Sequence, residues 1–232
     1  MDSLQEIHKV ALTELGKRMS LDPVSLKYPF PERPLRALGL IKIDGEVYCS
    51  ERFSRVVLLK VDFPFYFSVR NIFLFPKKEY NLPFFTLDIV FKGKKRLIVM
   101  DVHRTEKGEV SEDTALLEKL IKAKNKYPSL LAETAKLESD IKTYFSKAVC
   151  QVNIAGEQDD EFLNIFNEYL DIFLNAVEKA SPLFGNALEK AERAFQEYLN
   201  TWAVEDPGVK VNKILFGQKG GIARGLDIFF GR

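Results

Sequence analysis

Along residues 84–92 the side chains alternate between two faces. Phe84, Thr86, Asp88 and Val90 fall on one; Phe85, Leu87, Ile89 and Phe91 fall on the other. The second set is wholly apolar and is predicted to lie against helices. The first carries an acid in the middle of a strand. The same alternation over 65–75 groups Asn71 with Phe65, Phe67, Val69, Phe73 and Phe75. The pattern predicts strands over 37–43, 46–50, 55–62, 65–75, 84–92 and 95–103. Asp44-Gly45 and Lys92-Gly93-Lys94 read as tight turns. Strands joined so closely must run antiparallel, because a parallel pair needs a long crossover.

The period changes on either side of this block. Leu4, Ile7, Ala11, Leu12 and Leu15 predict a helix over 3–19, with Ser3 as its N-cap. Residues 22–34 hold Pro23, Pro29, Pro31 and Pro34 and read as an extended connection. After residue 108, helices are predicted over 112–125, 129–147, 158–179, 186–203 and 220–229, punctuated by Pro128, Ser181-Pro182 and Asp206-Pro207. Strands followed by helices give an α+β fold, with helices packed on an antiparallel sheet. One domain over 1–232 is expected, strand-rich over 37–103 and helical over 112–232.

Composition narrows the chemistry. The 232 residues are 46% hydrophobic and 29% charged, with a net charge of +1, so the chain as a whole does not attract nucleic acid. Cys49 and Cys150 suggest neither a disulfide framework nor a zinc site. Residues 1–19 carry charges throughout, and no apolar run approaches ~18 residues, so neither a secretory leader nor a membrane span is expected. A soluble protein of a reducing compartment follows. The 19 Phe and 8 Tyr suit either a Phe-rich core or a pocket for a flat ligand.

Several chemistries fall away. Gly217, Gly220 and Gly221 follow no strand-to-helix unit that would cradle a phosphate. There is no nucleophile elbow. His8 and His103 are the only histidines, too few for a histidine metal site, and His103 is expected at a surface or rim. Lys92, Lys94, Lys95 and Arg96 form a basic tip, either a solvated turn or a docking patch for an acidic partner. The aspartates remain, because an unpaired carboxylate on a buried face costs several kcal/mol. The connection 76–83 is short enough to bring Asn71 and Asp88 onto neighbouring strands of one face. An amide and an acid on an apolar floor suit a ligand site with few polar groups. A structural aspartate held by backbone donors suits the same pattern.

The stretch 71–88 resembles the central signature of the ferredoxin-dependent bilin reductases. Its matching residues are Asn71, Phe75-Pro76, Leu82-Pro83, Phe85 and Asp88-Ile89, followed by Met100-Asp101. In the helical half, Phe145-Ser146-Lys147 is similar to an "FS" helix of the family. Asp206-Pro207, Phe216-Gly217 and Ile228-Phe229-Phe230-Gly231 match its C-terminal pattern. The resemblance covers roughly residues 37–232.

It implies a three-layer α/β/α sandwich with a central antiparallel sheet, biliverdin IXα lying between the sheet and the C-terminal helices. Asp88 would be the buried proton donor, Asp206 a second acid from the helical side, and Asn71 their catalytic companion. Phe73, Phe84, Thr86, Val69, Arg70 and Lys147 would bind the substrate, and Asp101 would be structural. Electrons would come from reduced ferredoxin in trans, with no cofactor or metal bound to the chain. A carboxyl surrounded by apolar groups can keep its proton near neutral pH and deliver it to a reduced tetrapyrrole. The implied product is a phycobilin. Phycoerythrobilin is expected ahead of 15,16-dihydrobiliverdin or phytochromobilin. The expected enzyme is a monomer of the cytoplasm, or of the plastid stroma in a eukaryote, with no nucleic-acid or membrane partner.

The sequence departs from the family in places. Asn71 and Leu59 stand where the phycocyanobilin-forming branch has His and Glu, Thr86 replaces a usual Gly, and Val152-Asn153 replace a propionate-binding Arg. The propionates would then meet Arg70, Lys60 or Lys147. A red chlorophyll catabolite reductase and a non-catalytic bilin carrier are the other readings.

Overall fold

Among the described residues, seven strands pair in strict chain order into one antiparallel sheet: β1 (Asp22–Pro23), β2 (Lys42–Cys49), β3 (Phe53–Asp62), β4 (Ser68–Pro76), β5 (Phe84–Lys92), β6 (Lys95–His103) and β7 (Cys150–Ala155). The computed structural model describes residues 3–30, 40–64, 67–105, 114–132, 144–205 and 207–232. Among these residues six helices flank the sheet: α1 (Ile7–Gly16), entered through a 3-10 turn at Ser3–Glu6, α2 (Thr114–Lys124), α3 (Asp159–Lys179), α4 (Asn186–Glu205), α5 (Pro207–Phe216) and α6 (Gln218–Gly225), which runs into a π-helical turn at Leu226–Phe230. This is the α/β/α sandwich the resemblance implies.

The two sheet faces carry separate cores. On one, Phe85, Leu87, Ile89, Ile98 and Met100 are fully buried against Ile7, Ala11 and Leu15 of α1 and Phe162, Phe166 and Phe173 of α3. The alternation in 84–92 is thus realised, with the apolar set facing α1 and α3. On the opposite face, Phe75 and Phe84 pack with Phe195, Tyr198, Leu199 and Trp202 of α4 and with Ile228 and Phe229 of the π-helical turn. The aromatic side chains meet edge to face, as Phe75 does with Phe84 at 4.7 Å between centroids.

Three expectations need correction, and two elements were not foreseen. Asp44-Gly45 is not a turn: β2 runs through it, with Asp44 opposite Lys60 and Gly45 opposite Leu59. The glycine serves a close approach, since a Cβ there would sit 2.5 Å from the Phe30 ring. The predicted helix 129–147 is a 3-10 turn at Leu130–Ala132 and irregular backbone over 144–149, with 133–143 outside the described residues. Phe145-Ser146-Lys147 is therefore not helical; the Ser146 N–H and hydroxyl are both engaged by Asp101 (2.9 and 2.5 Å). Strand β7 and helix α5 are elements the sequence reading leaves unassigned. The turn at Gly93-Lys94, by contrast, closes β5 onto β6 as expected, with Gly93 at φ +59°.

Candidate active site

Asn71 of β4 stands directly opposite Asp88 of β5, in a row that crosses the sheet: Gly45, Leu59, Asn71, Asp88, Val99, Gln151. The Asn71 amide Nδ2 donates to Asp88 Oδ1. The short connection through Lys78–Tyr80, with Asn81 in the left-handed region at φ 45°, sets this register. The carboxylate does not lie in a sealed core, since both side chains are half-buried.

The face around the pair is closed at one end and open at the other. Phe75, Phe84, Thr86, Asp101 and His103 are buried at the closed end, beneath α4 and the π-helical turn. Leu59, Val61, Val69, Val90 and Leu97 are only half-buried, although the backs of the same strands lie in the core. The amide–acid pair sits at the boundary. It is a polar couple set in an aliphatic floor that keeps part of its surface accessible, a shape suited to a flat, largely apolar ligand. An open groove of about 350 Å³, lined by Val24, Leu26, Pro29, Phe30, Ile43, Asp44 and Gly45, lies at the β2 end of the row.

Two further titratable groups share this face. Asp101, opposite Thr86 and diagonal to Asp88, is fully buried; burial raises its carboxyl to about 6, against the pull of the two Ser146 bonds. It ties the segment before β7 to the sheet, the structural role expected of it. His103 is 6% exposed, boxed by Phe84, Phe145 and Tyr198, and among the described residues neither ring nitrogen has a hydrogen-bond partner. Burial alone pushes its imidazole down to about 4. This corrects the expectation of a rim position: β6 ends beneath α4, not at an edge.

Of the residues expected to bind substrate, Val69, Phe73, Phe84 and Thr86 share the face with Asn71 and Asp88. Phe84 and Thr86 are buried within it, and Phe73 meets Phe229 edge to face at 5.0 Å. Arg70 is on the other face. It is 5% exposed, and its guanidinium donates to Asp62 Oδ1 (2.9 Å) and Gln5 Oε1 (2.6 Å). The structure does not bring it to the site, because its place between Val69 and Asn71 points it backwards. Lys147 is exposed beside Ser146, and Lys60 lies 3.6 Å from Asp62. Asp206, expected as the second acid, lies outside the described residues.

The basic tip also changes. Lys92, Lys94 and Lys95 are exposed, whereas Arg96 is 5% exposed and pairs with Asp159 at the start of α3 (3.1 Å). One residue the sequence reading passed over touches the pair from behind: His8 of α1 contacts the Asn71 carbonyl at 3.0 Å. Among the described residues, no group of three or more His, Cys, Asp or Glu side chains is placed to hold a metal ion. Nor, among them, is any helix long and apolar enough to cross a membrane.

The comparisons with known proteins meet this geometry. The family model described as ferredoxin-dependent bilin reductase matches residues 8–220. The chain belongs to that family. It is 35% identical over 97 residues to the phycoerythrobilin:ferredoxin oxidoreductase of Prochlorococcus marinus (strain MIT 9301), a match covering 42% of this chain and 38% of that protein. A second such protein, from strain AS9601, is 35% identical over 112 residues, covering 48% of this chain and 43% of its own length. The matched stretches thus span well under half of these curated relatives. A crystal structure of phytochromobilin synthase from tomato, in complex with biliverdin, superposes with a TM-score of 0.81 at 19% identity, covering 98% of this chain and 82% of that one. The bilin reductase fold is therefore shared almost throughout.

Proposed function

We propose that this bilin reductase reduces biliverdin IXα to a phycobilin, with electrons supplied singly by reduced ferredoxin and protons supplied at the sheet face. The observation that carries the reading is the Asn71–Asp88 pair, set in register on a half-accessible aliphatic floor. Asn71 donates to Oδ1 and so orients the carboxyl that is to carry and deliver a proton. Each reduced double bond consumes two electrons and two protons, so a dihydrobiliverdin or phytochromobilin takes one such step and phycoerythrobilin takes two. The names of the curated relatives favour phycoerythrobilin. Asp206 is the second acid of this reading, and Val69, Phe73, Phe84 and Thr86 belong to the walls around the ligand. Exposed Lys92, Lys94 and Lys95 offer an acidic iron–sulfur donor a cationic approach. The enzyme acts as one domain, a monomer in a reducing aqueous compartment, with no cofactor of its own.

The test is an anaerobic assay of the purified chain with biliverdin, ferredoxin and a ferredoxin-reducing system, read by chromatography. Consumption of biliverdin, with appearance of a phycobilin at a rate that falls as salt rises, is expected. Tight binding of biliverdin with no reduced product under these conditions would make the chain a carrier.

A further inference from the structure

Asn71 can orient Asp88 only if its own peptide is held still. Strand β4 is held at this point from the rear of the sheet by the first helical turns of the chain, through the Arg70 side chain and the Asn71 carbonyl. Gln5 accepts from Arg70 at 2.6 Å, and one residue along β4 His8 Nε2 lies 3.0 Å from the Asn71 carbonyl oxygen. These two contacts come from residues one turn apart on a segment whose apolar side, Leu4, Ile7 and Ala11, is fully buried against the sheet. The helix therefore cannot slide without breaking them. Asn71 thus has its side chain in the site and its carbonyl tied to the opposite layer.

We infer that His8 is a positioning residue for the Asn71–Asp88 pair, acting through the Asn71 peptide and never touching the ligand. Since a carbonyl only accepts, Nε2 must carry the proton, which fixes the imidazole tautomer. Burial, aided by Arg70 and Lys60 and opposed by the Asn71 bond and Glu46, pushes the group down to about 4, so the donor stays neutral across the working range. A small displacement of Asn71 passes directly to the carboxyl it holds, and displacements of about 1 Å at a reacting group cost up to ~10²-fold in rate.

The inference rests on Asp88 as the proton donor, and the experiment separates the two. His8→Leu, His8→Gln and Asp88→Asn are compared with the wild-type chain for biliverdin affinity, kcat, melting temperature and radical lifetime by electron paramagnetic resonance. His8→Leu is expected to bind biliverdin within about twofold of wild type, to lose roughly 10- to 100-fold in kcat and to prolong the radical. His8→Gln, whose amide nitrogen can occupy the place of Nε2, is expected to recover most of the rate. In an Asn71→Ala background, His8→Leu should cost little more, because the two act through one path. A His8→Leu protein that melts lower but turns over normally would overturn this inference alone, as would a full additional loss in the Asn71→Ala background. Wild-type turnover in Asp88→Asn would overturn the proton-donor reading, and this inference with it.

Discussion

His103 shows how a single buried residue shapes the response of the protein to pH. Its imidazole sits at about 4, against 6.5 when exposed, and His8 behaves alike. Between those values the unfolded chain binds a proton that the folded chain refuses, so stability falls as pH drops from 6.5 towards 4. At about 1.4 kcal/mol per pH unit, each histidine contributes about 3 kcal/mol to that loss. Asp101 has the opposite sign. Its folded value of about 6 lies above 3.8, so it adds stability at acid pH and loses it as pH rises through that window. One histidine is therefore offset and one remains, leaving the wild type less stable at pH 4.5 than at pH 7. His103→Phe, in a box already made of Phe84, Phe145 and Tyr198, is expected to remove about 3 kcal/mol of the acid loss, read from urea midpoints across pH 4–7. An unchanged slope would mean that His103 is not a source of it. At this scale the Asn71–Asp88 pair was legible, because a period of two and a short connection suffice to place both. His8 and the burial of His103 were not. One depends on a contact spanning 63 positions, the other on helices that arrive much later in the chain.

Strands β5 and β6 fall where alternation and the Lys92-Gly93-Lys94 turn put them, since both signals are local. The misses have physical causes. Strand β7 buries only Cys150, Val152 and Ile154, with Gln151 and Asn153 between, a pattern too short to stand out. Helix α5 opens on Pro207-Gly208, read as a stop, although proline suits the first turn of a helix. Asp44-Gly45 carries a turn signal, but the glycine is there to admit Phe30. Arg96 follows three lysines in the sequence and so resembles part of the basic tip, but its charge is spent within the fold. Arg96 and Asp159 are 5% and 7% exposed in their side chains and bind through Nε and Nη2, fastening β6 to the first turn of α3. Removing one partner leaves the other charged and buried, so Arg96→Met is expected to destabilise the chain by about 3–5 kcal/mol in urea unfolding. Coupling it with Asp159→Leu should recover much of that loss. Equal destabilisation in the double variant would show that packing, not charge, is at stake.

Across the whole molecule, the two sheet faces are put to different uses. The rear face, under α1 and α3, is sealed and supplies the main apolar core. The front face is sealed only at its aromatic end, and its aliphatic half stays accessible beside Asn71 and Asp88. The fold class was legible from the switch of period near residue 108, and the apolar rear face from the alternation over 84–92. The closed end was not, because it is built by the C-terminal π-helical turn meeting β3 and β4 across the length of the chain. The central claim, that Asp88 delivers protons to the bilin, has one direct measurement. Asp88→Asn, loaded with biliverdin and reduced anaerobically through ferredoxin, should bind the pigment as the wild type does, accept an electron and stall. Electron paramagnetic resonance should then show a long-lived bilin radical, while turnover falls by about 10²–10⁴. A variant that consumes biliverdin at the wild-type rate, with no lasting radical, would contradict the claim.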